Sequence, residues 1–191
     1  MQLSITDELY PMDKSHHVIE EPKLALFILQ SPRFAWFWLV VRVYVGWQWL
    51  TAGWQKVHDA AWFGSHAGGA LAGFVHAALS KMGTAHPDVQ NWYGWFLGHV
   101  VLPHPLFWSN LIAGGELLVG IALVLGIFSG FAAFFGSFMN LNYLLAGTVS
   151  TNPILLVLAI AIILAWRVAG FYGVDYWLLP AIGTPWRSGK I

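Results

Sequence analysis

The sequence predicts an all-α integral membrane protein: a bundle of four transmembrane helices, with amphipathic helices in the long first outer connection. Three observations carry that reading. Of 191 residues, 58% are hydrophobic and only 9% are charged, whereas a soluble domain usually carries about 25% charged residues. Mean hydropathy is +0.62. Four apolar stretches approach the roughly 20 residues needed to cross a bilayer, at about 33–57, 105–128, 129–147 and 153–169.

Residues 1–32 form a polar lead-in that carries Asp7-Glu8, Asp13-Lys14, His16-His17 and Glu20-Glu21. No secretory signal peptide is expected there, because no short apolar core follows a basic start. Within it, the apolar run Leu24 to Leu29 is too short to span. It predicts a short helix lying on the membrane surface, ended by Ser31-Pro32. The four-span domain then covers 33–186, and 187–191 is a C-terminal tail.

Ser129-Gly130 links the second and third spans tightly, and Gly147 to Asn152 links the third and fourth, with Pro153 at the first helical turn. Short links make neighbours antiparallel, hence an up-down bundle. Four crossings put both termini on one side. That side holds Lys14, Lys23, Arg33, Arg187 and Lys190, against Lys56 and Lys81 on the other. The positive-inside rule therefore predicts a multi-pass plasma-membrane protein with both termini cytoplasmic. In the outer connection, Ala67 to Met82 and Val89 to Val101 repeat apolar residues at helical spacing, which predicts two amphipathic helices. After the fourth span, Gly173 to Trp186 is rich in aromatic residues and predicts an interfacial tail.

Composition also excludes functions. Nine basic and nine acidic side chains balance, which removes the basic surface that nucleic-acid binding requires. With no cysteine there is no disulfide, thiol nucleophile, CxxC pair or cysteine-held cluster. Walker A, GxGxxG, GxSxG and HExxH patterns are absent, so no metal is expected. Six of the eight histidines lie in the outer connection without metal-ligand spacing. They read as interfacial polar residues.

Polar groups inside spans cost about 2.5–3.5 kcal/mol each on insertion scales, so each needs a reason. Arg42 sits about 13 Å into the first span, while Glu116 and Asn140 sit about 16 Å into the second and third. Asn142 follows on the third. Gln48 and Gln55 continue a polar path outward to Lys56 and His58. This predicts a midplane polar site for a small anion or a quinone headgroup. Arg42 would bond an anion or quinone oxygen, and Glu116 would move a proton on quinone reduction. Asn140, Asn142 and Gln48 would orient the headgroup, and Lys56 would meet an exterior anion. An Arg42–Glu116 ion pair capped by Asn140, serving only to fix the bundle's register, stays open as an alternative.

Several segments together resemble the DoxX/DoxD membrane-protein family. They are Gly46-Trp47-Gln48-Trp49-Leu50-Thr51-Ala52-Gly53-Trp54-Gln55-Lys56, Gly115-Glu116-Leu117-Leu118-Val119-Gly120, Met139-Asn140-Leu141-Asn142 and Ser150-Thr151-Asn152-Pro153. Trp166-Arg167-Val168-Ala169-Gly170 with Gly173-Val174-Asp175, and Leu179-Pro180 with Gly183-Thr184-Pro185-Trp186, are similar to the DoxD C-terminus. The resemblance implies the membrane subunit of a thiosulfate:quinone oxidoreductase, which joins two thiosulfates into tetrathionate while reducing a membrane quinone. It also implies a second subunit, DoxA-like, as partner. A non-catalytic accessory subunit of a larger respiratory complex is the rival expectation. A small-solute transporter is a third, disfavoured because four spans show no inverted repeat.

Overall fold

The computed structural model describes residues 21–83 and 85–183. Most of the expected polar lead-in and the expected tail at 187–191 lie outside the described residues, as do Thr184, Pro185 and Trp186. Every regular element among the described residues is helical, as the sequence predicts.

Helix α1 (Lys23–Gln30) ends at Ser31, and a short 3-10 turn over Pro32–Phe34 leads into α2 (Ala35–Val57). The proline stops α1 because the residue before it disfavours helical backbone. The two helices bend by 60°, and the indole N–H of Trp38 donates to the Ile28 carbonyl at 2.7 Å, bracing the elbow. Helices α3 (Gly69–Leu79) and α4 (Asn91–Phe96) fill the long connection, and α4 continues as a π-helical turn over Leu97–Val101. Next come α5 (Pro105–Leu125), α6 (Ser129–Leu145), α7 (Asn152–Leu164), α8 (Trp166–Ala169) and α9 (Asp175–Ala181). Prolines in the first turns of α5 and α7 suit positions whose N–H has no helical partner. Gly126, at φ +72°, closes α5 in the left-handed conformation that glycine adopts without penalty.

Of the four stretches expected to cross, Pro105–Leu125 alone forms a straight helix both long and apolar enough. Pro32–Val57 reaches that standard jointly with the bent α1. The third stretch makes a 17-residue helix and the fourth a 13-residue one. The fourth stops at Ala165 and resumes as α8.

Buried side chains gather in two apolar clusters. The larger, including Val45, Trp49, Leu123, Ala133, Ala159 and Ile162, joins α2, α5, α6 and α7. The smaller, including Val75, Val89, Tyr93 and Leu97, joins α3 and α4 to the C-terminal end of α6. Lys81 secures that end by donating to the Gly147 carbonyl at 2.7 Å. The bundle therefore has two ends: one capped by α3 and α4, the other carrying α1, the α5–α6 turn and α9. Its flanks are apolar as well, with Trp47, Phe131, Phe138, Leu118 and Val157 largely exposed. Helices apolar on every side need more than water around them.

Candidate functional site

The site begins with the contact between α2 and α5. A Cβ built on Gly120 would lie 2.8 Å from Leu50 Cβ, and one on Gly53 2.8 Å from the Glu116 carbonyl carbon. Only glycine allows that approach, the close backbone contact that membrane helix pairs favour. It brings Lys56, in the last turn of α2, against Glu116 in the middle of α5. Lys56 Nζ lies 2.6 Å from Glu116 Oε2. Glu116 Oε1 accepts a short hydrogen bond from the Tyr143 hydroxyl on α6. Glu116 is 1% exposed and Lys56 21%, and the Lys56 ammonium stands 5.2 Å from the Trp62 ring centroid.

Tyr143 also forms part of the wall of an apolar cavity of about 470 Å³ enclosed by α3, α4 with its π turn, α5 and α6. That volume lies in the range of small-molecule sites. Phe74, Val75, Leu97, Val101 and Trp108 line its interior, and the exposed Leu111, Leu118, Phe135 and Phe138 stand at its rim. The lining is almost wholly apolar, and its polar side chains are Tyr93, Asn142 and Tyr143 with the Trp108 indole. Tyr93 donates towards Asn142, 3.0 Å from its carbonyl and 3.1 Å from Oδ1. Burial pushes the Tyr93 phenol up to about 12, so it stays a donor at any physiological pH. A hollow of similar size near α1 and α9 is lined by Gln30, Pro32, Phe171, Tyr176 and Pro180, with no carboxylate or amine in its wall.

The family comparison bears directly on this arrangement. The model of the family described as TQO small subunit DoxD matches residues 37–188, which include Lys56, Glu116, Asn142 and Tyr143. The chain belongs to the DoxD family. That family is membrane-associated. Comparison with curated proteins and with solved structures returned no match.

In this DoxD chain the polar residues singled out by sequence do not meet at one midplane point. Arg42 is the clearest correction. Its guanidinium faces the C-terminal end of α5, not Glu116. Nη1 donates to the Leu123 carbonyl at 2.5 Å and the Val124 carbonyl at 3.3 Å, and Nη2 donates to the Tyr172 carbonyl at 3.0 Å. A cation suits a helix C-terminus, where carbonyls lack N–H partners. Arg42 thus ties α2, α5 and the segment before α9 together, and its bonds are committed to protein carbonyls. Lys56 is corrected likewise: instead of facing an exterior anion it is paired with Glu116. Asn140 is fully buried on α6, with both side-chain polar atoms unpartnered. Gln48 is half-buried on α2, and neither it nor Asn140 lines the cavity. Asn142 does.

Two residues escaped the sequence reading. Tyr143 links carboxylate to cavity, and its signal was its place three residues after Asn140, within reach of the same helix face. Asp175, expected in an interfacial tail, is 1% exposed. Its carboxylate accepts from Phe128 N at 2.6 Å and Ser129 N at 2.8 Å, capping α6. Among the described residues, no three His, Asp or Glu side chains converge as a metal site.

Proposed function

We propose that this DoxD chain is the quinone-binding membrane small subunit of a thiosulfate:quinone oxidoreductase, working with a second, DoxA-like subunit. One observation carries the reading: an apolar cavity of about 470 Å³ whose polar wall is a tyrosine bonded to a buried, lysine-paired carboxylate. A quinone has an apolar isoprenoid tail and a headgroup with two acceptor oxygens. The aromatic and aliphatic lining fits the former. The hydroxyls of Tyr143 and Tyr93 and the Asn142 amide offer donors for the latter. Reduction of the headgroup takes two electrons, released as two thiosulfates join into tetrathionate, and two protons. Tyr143 holds a proton at the cavity wall, Asn142 and Tyr93 orient, and the lining excludes water.

The same reading places four helical segments across the plasma membrane, with both termini in the cytoplasm and α3 and α4 outside. Its support is the apolar exposed flank of α2, α5, α6 and α7 and the basic residues gathered towards the termini. Arg42 belongs to the framework in this reading, and Glu116 to the chemistry.

The test starts from native membranes carrying this chain with an affinity tag, solubilised in mild detergent. Co-purification of a second subunit and thiosulfate-dependent reduction of decyl-ubiquinone are the expected results. Gly115→Leu extends a side chain from the cavity wall, where a Cβ would meet only Met139 Sδ at 3.6 Å. It should raise the KM for decyl-ubiquinone about 10-fold while thiosulfate kinetics stay put. Recovery with a cytochrome complex and no thiosulfate activity would point to an accessory subunit instead.

A further inference from the structure

We infer that Lys56, Glu116 and Tyr143 form a proton-delivery line. It runs from the aqueous phase at the α3–α4 end of the bundle to the apolar cavity. The inference rests on the quinone reading and adds the route and its point of entry. The three groups are in continuous hydrogen-bond contact: Lys56 Nζ to Glu116 Oε2 at 2.6 Å, and Glu116 Oε1 to the Tyr143 hydroxyl. Exposure falls along the line, from 21% at Lys56 to 1% at Glu116, and Tyr143 opens into the cavity. One end is therefore wet and the other reaches an apolar compartment. A pair serving only to fix helix register has no need of that gradient, nor of a third group facing a cavity.

The transfer balances. As electrons from thiosulfate reach the acceptor, the Tyr143 hydroxyl gives its proton to an acceptor oxygen. Glu116, protonated by the Lys56 ammonium, returns a proton to the Tyr143 oxygen. The neutral amine of Lys56 then takes a proton from water at the α3–α4 end, and a second pass delivers the second proton. Lysine suits the entry point because its ammonium can lose a proton; a guanidinium cannot. The titratable groups facing this line are Lys56 on α2, Glu116 on α5, Tyr143 on α6 and Tyr93 on α4, the last held at Asn142. Tyr143 alone of the three touches the cavity, so Glu116 and Lys56 act through it.

Lys56→Arg is the discriminating variant, because it keeps the charge and the pairing and removes the transferable proton. With the tagged complex from native membranes, decyl-ubiquinone binding, kcat, its pH profile and its solvent deuterium effect are measured. Expected are binding within about twofold of wild type in Lys56→Arg and Glu116→Gln. Expected too are a kcat about 10-fold lower in the first and about 100-fold lower in the second, with an enlarged deuterium effect and a displaced pH profile. Intact binding with wild-type kcat in Lys56→Arg would overturn the line while leaving the quinone reading standing. Absence of decyl-ubiquinone binding to the wild-type complex would overturn both.

Discussion

At the scale of single residues, the buried carboxylate of Glu116 governs the energetics. Lys56→Met would leave it ionised with only a tyrosine for company, and breaking one partner of a buried pair costs about 3 kcal/mol. Removing both charges, in Lys56→Met with Glu116→Gln, should be milder than Lys56→Met alone. Thermal unfolding of the detergent-solubilised protein measures the difference. Equal melting temperatures for the single and double variants would show that the pair is not coupled. Glu116, Lys56 and Arg42 were visible in the sequence because a charge within or beside an apolar stretch is costly and so conspicuous. Their partners were not. Arg42 bonds carbonyls 81, 82 and 130 residues away, and no local pattern records such pairings. Tyr143 was overlooked for the opposite reason: a tyrosine at the end of an apolar helix is ordinary, and only its hydrogen bond to Glu116 makes it unusual.

At the scale of elements, the α2–α5 contact sets the geometry on which the site depends. Gly120→Val would place its Cβ against the Leu50 backbone and Leu50 Cβ, forcing the helices apart. Overpacking of this kind costs about 1–3 kcal/mol. Because Lys56 reaches Glu116 only across this contact, decyl-ubiquinone turnover should fall more than in Gly115→Ala, whose added methyl meets only Met139. Helix positions were legible because apolar stretches bounded by Pro, Gly and Asn mark their own ends. Pro105 and Ser129 begin helices where the sequence places the second and third spans. The break at Ala165 was not legible: apolar residues flank it on both sides, and nothing in composition distinguishes a helix that pauses from one that continues. The π turn at Leu97–Val101 is equally silent in sequence, although it supplies Leu97 and Val101 to the cavity wall.

At the scale of the whole molecule, the open structural question is how the bundle sits in the bilayer. The chain has no cysteine, so any introduced thiol is unique. Four crossings predict that Ser65→Cys and Thr151→Cys react with an impermeant maleimide from the outside of intact cells. Glu21→Cys and Ala181→Cys should react only after the membrane is opened. Labelling of all four from one side would dismantle the four-span reading. The two ends differ in what they do. At one, Arg42 and Asp175 fasten helix termini with their charges turned inward. At the other, α3 and α4 roof the cavity and leave Lys56 partly in water.

The cavity's rim of Leu111, Leu118, Phe135 and Phe138 lies on the bundle's flank, not at either end. A ligand arriving there comes from among the acyl chains and never from bulk solvent. The relevant concentration is then a mole fraction in a two-dimensional phase. Diluting the bilayer with inert lipid at constant total quinone would slow the enzyme, although nothing in the aqueous medium had changed. A half-saturation point quoted in micromolar would be a property of the preparation, and in mole per cent a property of the protein.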